Sequence, residues 1–140
     1  MVDLDILVPE KSAEGCWDSL RTLGYLPIED GHNYHIDYDI HHHLRPLYHP
    51  NWHGTIEIHR DALPNSVTSI LPTKQTWNQA ESVINELGIA MSVPSPMHRI
   101  LHNFLHSELV NQAYARGKIS LRSLYELVMV QGVYNERIDW

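Results

Sequence analysis

Residues 2–9 read Val2-Asp3-Leu4-Asp5-Ile6-Leu7-Val8-Pro9. Alternation sets Val2, Leu4, Ile6 and Val8 on one face and Asp3, Asp5 and Leu7 on the other, the period of a half-buried strand that Pro9 then ends. The next stretch changes period. Ser12 can cap a helix, Ala13, Trp17, Leu20 and Leu23 make an apolar stripe, and Gly24 suits the left-handed position just past a helix end. The chain therefore opens as a strand followed by a helix.

Working outward, Tyr34, Ile36, Tyr38 and Ile40 alternate with His35, Asp37, Asp39 and His41, which predicts a half-exposed strand. His43 to Tyr48, the turn-rich His49-Pro50-Asn51-Trp52-His53-Gly54, and Thr55 to His59 predict a hairpin. Its second strand sets Thr55, Glu57 and His59 opposite Ile56 and Ile58, and Pro46 makes its first strand irregular. Helices are expected over Thr76 to Leu87, Pro96 to about Tyr114, and Ser120 to about Gln131. With strands first and helices last, the class is α+β, a small mixed or antiparallel sheet with a helical C-terminal part. The expected organisation is one domain over 1–140, with a sheet-bearing core over 1–60 and the helical part over 76–132.

Seventeen Asp and Glu against ten Lys and Arg give a formal charge of −7, which removes a broad nucleic-acid or anionic-membrane surface. The lone cysteine, Cys16, excludes an intrachain disulfide and a thiolate metal site. Neither a secretory signal nor a membrane span is encoded, so the expected compartment is the cytoplasm. Eleven histidines are far more than usual and direct attention to metal or proton chemistry.

Asp3 and Asp5, two apart on a strand, project to the same side roughly 6.6 Å apart, and a neighbouring strand lies ~4.8 Å away. With Glu57 on such a neighbour, three carboxylates share a patch suited to two divalent cations, because hard Mg²⁺ takes oxygen ligands. Spacing alone does not separate that patch from the wet face of an edge strand. A rival set is Asp37, Asp39, His41 and His43, whose mixed donors suit Zn²⁺, Mn²⁺ or Fe²⁺ and which equally fits a solvated strand face. His98, His102 and His106 recur every four residues beside the apolar residues Ile100, Leu101, Phe104 and Leu105, and read as packed histidines. The four tryptophans read as core or rim.

The ordered set Asp3-Leu4-Asp5-Ile6-Leu7-Val8, Leu23-Gly24-Tyr25, His43-Leu44-Arg45-Pro46-Leu47, Ile56-Glu57-Ile58-His59 and the helix from Met97 to Glu108 with His102 and His106 covers most of the chain. It resembles the uncharacterised nucleotidyltransferase family of the DNA polymerase beta-like nucleotidyltransferase superfamily. The resemblance implies a nucleotidyltransferase-like fold and transfer of a nucleoside monophosphate from an NTP to a hydroxyl or phosphate acceptor, with Mg²⁺ or Mn²⁺ as cofactor. It implies that Asp3 and Asp5 hold both metals and that Glu57 ligates one and helps deprotonate the acceptor. His59 and Arg45 rank second, for proton transfer and phosphate contact. The expected partners are an NTP and an acceptor the sequence does not name, with no membrane, and homo-oligomerisation is left open. In such enzymes a helix bearing Gly-Gly or Gly-Ser precedes the Asp-x-Asp strand, whereas only Met1 and Val2 precede Asp3 here. The expectation is therefore a truncated or inactive member. The alternative is a non-catalytic binding or assembly module that uses a His-rich sheet face for a metal or a partner.

Overall fold

The computed structural model describes residues 3–29 and 36–138. They form two compact units that divide after Pro64. Together they are α+β, as expected, with one small mixed sheet, one hairpin and a C-terminal helix.

In the first unit, strand β1 (Asp3–Leu7) is followed by a short 3₁₀ turn (Glu10–Ser12), helix α1 (Ala13–Thr22) and strands β2 (Leu26–Pro27), β3 (Leu47–Tyr48) and β4 (Thr55–His59). The sheet order is β1-β4-β3-β2. β1 runs parallel to β4, with Leu4 opposite Ile56, Asp5 opposite Glu57, Ile6 opposite Ile58 and Leu7 opposite His59. Residues opposite one another share a face, so Ile6, Ile56 and Ile58 go to the α1 side. There they pack with Ala13, Cys16, Trp17, Leu20, Leu44 and Tyr25 as the core. The carboxylates of Asp5 and Glu57 go to the other side. Val2, the expected first strand residue, lies outside the described residues.

α1 ends as a Schellman motif. Gly24 has φ +94°, its N–H donates to the Arg21 carbonyl at 3.1 Å, and Tyr25 N–H donates to Leu20 at 3.2 Å. Tyr25 and Leu20 both pack on the core.

The expected hairpin of β3 and β4 carries an irregularity with consequences. Leu47 pairs with Ile56, yet an antiparallel bridge joins His43 to His59, so four residue steps on one side face three on the other. One extra residue therefore sits within the stretch 44–46, which contains Pro46, a residue that cannot donate to a ladder. In a regular strand His43 would share the core-facing side with Leu47; the extra residue reverses it onto the carboxylate side while Leu44 stays buried. The indole N–H of Trp17 donates to the carbonyl of Arg45 at 2.8 Å and so satisfies the backbone where the ladder is broken.

The strand expected over Tyr34 to His41 is corrected. Tyr34 and His35 lie outside the described residues, and 36–41 forms turns and bends. The Asp37 carboxylate accepts the Asp39 N–H at 3.1 Å, and the Arg60 guanidinium takes the carbonyls of Tyr38 and Asp39 at 3.1 and 3.0 Å. Side-chain partners capture the backbone groups that a strand would have used.

The second unit holds α2 (Thr73–Asn78), the hairpin β5 (Glu81–Ile84) and β6 (Ala90–Val93), α3 (Pro96–Leu105), a π-helical turn (His106–Val110) and α4 (Leu121–Tyr134). The helix expected over Thr76 to Leu87 is thus mostly wrong. Only its start is helical, and Gly88 with φ +76° completes a hairpin turn instead of ending a helix. Asn85 organises that turn, its side-chain oxygen accepting the N–H groups of Leu87 and Ile89 at 3.0 and 2.9 Å. α3 stops short of Tyr114, while α4 begins after Ser120, whose hydroxyl accepts the Ser123 N–H. Among the described residues, no helix is long and apolar enough to cross a membrane.

Candidate active site

β1 and β4 bring Asp5 and Glu57 side by side, and the alternation along β4 adds His59 to the same face. Donor atoms of Asp5, Glu57 and His59 all lie within 4.8 Å of one another. His59 Nε2 stands 3.5 Å from Asp5 Oδ1 and 3.5 Å from Glu57 Oε2, and His43 Nε2 stands 3.5 Å from that same Glu57 oxygen. The centre is graded in exposure: the Asp5 side chain is 60% exposed, Glu57 24% and both histidines 12%. Asp5 thus forms the open rim and His59 the floor.

Charge follows that geometry. Burial alone would lower the pKa of His59, but contact with the Asp5 and Glu57 carboxylates outweighs it and raises the imidazole to about 9. The Glu57 carboxyl is held below its ordinary range chiefly by His59, against the opposing effect of burial and with help from His43. His41 is pushed down by burial, and by the neighbouring His43 and His59.

The other expected residues are distributed unevenly. Asp3 lies on the Asp5 face opposite Thr55, but its Oδ1 accepts the Thr55 hydroxyl at 2.7 Å and it is not part of the tight cluster. Arg45 lies in the bulge with its guanidinium 5.1 Å from the centre of the Tyr38 ring. Asp37 and Asp39 belong to neither metal-competent group among the described residues. The second such group is His41, His42 and His43. His42 falls outside every candidate set that strand alternation suggests, and the signal for it in the sequence is the uninterrupted run of three histidines.

His98, His102 and His106 do not form a metal-competent group among the described residues. His98 is buried, and the rings of His102 and His106 stack at 5.9 Å, with Asn111 3.2 Å from His106 Nδ1. Trp17 is half-buried, Trp52 and Trp77 are exposed, and Trp140 lies outside the described residues. A groove beside α3 and α4, lined in part by Ile100, Tyr125 and Met129, is apolar. Its Glu126 is bound by Asn103 and Arg122 at 2.8 and 3.0 Å, so the acid–base chemistry gathers in the first unit instead.

The donor set fits a divalent cation. Two carboxylates from adjacent strands supply hard oxygen donors suited to Mg²⁺ or Mn²⁺, and His59, protonated in the metal-free protein, would offer a nitrogen only after giving up that proton. None of the curated proteins compared matches the chain. A family model described as "Uncharacterised nucleotidyltransferase" matches residues 1–140. With that match spanning the sheet, its acidic face and the helices that follow, the chain belongs to the uncharacterised nucleotidyltransferase family.

Proposed function

We propose that this protein performs metal-dependent transfer of a nucleoside monophosphate from an NTP to a hydroxyl or phosphate acceptor, with its centre at Asp5, Glu57 and His59. The carrying observation is the pairing of Asp5 with Glu57 in the β1–β4 register, inside a chain of a nucleotidyltransferase family. In the reaction, an acceptor oxygen bonds to the α-phosphorus while the bond to the departing pyrophosphate breaks. A divalent cation, Mn²⁺ or Mg²⁺, supplies the positive charge that phosphoryl-type transfer requires.

Asp5 and Glu57 would hold that cation, with Asp3 two residues away on the same face of β1 as an outer carboxylate. Glu57, kept ionised by the histidines beside it, can also take the acceptor's proton. In the metal-free protein His59 serves as the counter-charge between the two acids. Arg45 is assigned to phosphate contact. The single thiol and the net negative charge suit a cytoplasmic enzyme acting on a free nucleotide and an acceptor of its own.

The test is incubation with each α-labelled NTP, Mn²⁺ or Mg²⁺, and fractionated cell extract as the acceptor pool. Wild-type protein should label an acceptor fraction, and Asp5→Asn and Glu57→Gln should each lose at least about a hundredfold of that rate. Label transfer unchanged in both variants would sink the assignment. Wild-type protein that binds Mn²⁺ and transfers nothing would overturn the transfer reading in favour of the inactive member that the sequence resemblance leads one to expect.

A further inference from the structure

We propose that His41, His42 and His43 form a second metal site, for a Zn²⁺-class transition-metal ion, next to the carboxylate centre. This goes beyond the transferase reading and does not depend on it. One nitrogen from each of the three rings lies within 4.8 Å of the other two. The ring centroids are 4.2 Å apart for His41 and His43, 4.3 Å for His41 and His42, and 4.8 Å for His42 and His43. A tetrahedral ion with Zn–N bonds near 2.0 to 2.1 Å needs its ligand atoms roughly 3.3 Å apart, which modest side-chain rotations would reach.

Three further observations favour a ligand over a chance run of histidines. First, the backbone that carries the rings is fixed to β4 and its continuation. Leu44 N–H donates to Ile58 at 2.8 Å, and Arg60 and Asp61 N–H groups donate to the His42 carbonyl at 2.8 and 3.2 Å. Second, His43 Nδ1 lies 2.8 Å from the Leu44 carbonyl. Donating there holds the hydrogen on Nδ1 and leaves Nε2 as the ligand atom, the arrangement in which metal-bound histidines are usually oriented by their other nitrogen. Third, His41 Nδ1 is buried without a hydrogen-bond partner, a cost that a cation would remove.

The donor set decides the class. Three imidazoles without a carboxylate among them suit a borderline ion such as Zn²⁺ or Co²⁺ more than Mg²⁺. Asp37 and Asp39, which the sequence offers as companion ligands, belong to no metal-competent group among the described residues, and His42 stands in their place. Because Glu57 Oε2 is 3.5 Å from His43 Nε2, the two centres are neighbours across one carboxylate.

The experiment uses full-length protein without an affinity tag, stripped by a chelator, and two probes: Co²⁺ followed by its visible absorption and Mn²⁺ followed by electron paramagnetic resonance. Wild type should take up about one tight equivalent of Co²⁺, with zinc displacing it. His41→Gln combined with His42→Gln should weaken that equivalent at least about tenfold and leave Mn²⁺ binding in place. Asp5→Asn should do the reverse, so the second site and the transferase centre fail separately. Should the double variant lose its cooperative thermal transition, His42→Gln alone carries the same expectation. Wild type without a tight Co²⁺ equivalent, or folded histidine variants that bind Co²⁺ as wild type does, would overturn the proposal.

Discussion

His43 Nε2 and His59 Nε2 each stand 3.5 Å from one oxygen, Oε2 of Glu57. A single extra residue in 44–46 produces this meeting, because it reverses His43 onto the face where β4 presents Glu57 and His59. Within that stretch the Arg45 carbonyl is satisfied from α1 by the Trp17 indole N–H. The site therefore depends on a local departure from regular pairing, and its supports can be tested separately from its ligands.

Mn²⁺ should raise the melting temperature of the chelator-stripped protein. A ligand at a hundred times its Kd adds about 2.7 kcal/mol to the folded state. Asp5→Asn should remove most of that shift. Asp3→Asn should remove less, because Asp3 lies outside the tight donor cluster and one of its two oxygens accepts the Thr55 hydroxyl. Thermal-shift titration of the three proteins checks the order, and equal shifts in wild type and Asp5→Asn would exclude Asp5 as a ligand.

Stability of the metal-free protein should fall as pH rises from about 6.5 to about 9. The His59 pKa is raised from 6.5 to about 9 in the folded state, so its contribution is complete below 6.5 and lost as pH passes through 9. The expected loss is on the order of 1 to 3 kcal/mol, allowing for the exposure of its partner Asp5. His41, lowered on folding, works in the opposite sense and costs stability as pH falls below 6.5. Glu57, also lowered, adds a further loss as pH falls below its ordinary 4.5. Urea denaturation in chelator across this range should show the alkaline decline in wild type and a flat line for His59→Gln.

Trp17→Phe should cost about 1 to 2 kcal/mol, since it keeps most of the ring's packing but leaves the Arg45 carbonyl without its N–H donor. Ile58→Ala should cost about 2 to 4 kcal/mol through a cavity under β4. Chemical denaturation measures both. If the bulge positions His43 as described, Trp17→Phe should also weaken Co²⁺ binding, whereas Ile58→Ala changes stability first.

Two glycine substitutions should have opposite signs. Gly24→Ala forces a side chain into φ +94° and brings its Cβ to 3.3 Å from His49 Nε2, so a loss of about 1 to 2 kcal/mol is expected. Gly15→Ala lies within α1 with nothing within 4 Å of the new Cβ, and should gain about 0.5 to 1 kcal/mol from helix propensity. Melting temperatures of the two variants read the contrast directly.

His102→Gln combined with His106→Gln should leave metal stoichiometry unchanged by elemental analysis. These rings stack on one another and His106 contacts Asn111, so the loss should show in stability alone. Disappearance of a bound zinc from this variant would move the transition-metal site to the second unit.

Local periodicity is enough for several parts of this protein. The alternation of 2–8, the Gly24 stop and the order Ile56-Glu57-Ile58-His59 each depend on neighbours in the chain, so β1, α1 and the shared face of Glu57 and His59 are legible in the sequence by itself. What joins them is decided at long range. Burial of Ile6, Ile56 and Ile58 against α1 chooses the parallel register that sets Asp5 against Glu57. The bulge then chooses the face of His43, a parity that no count along 43–48 reveals, because it depends on which residue of β4 lies opposite. The same limit explains the misread segments. Gly88 with positive φ suits both a helix end and a hairpin turn, and the alternation over 34–41 does not show that Arg60 draws the carbonyls of Tyr38 and Asp39 out of a strand. Side chains follow the local period, but pairing partners are set by which surfaces can be buried together, and only the folded chain settles that.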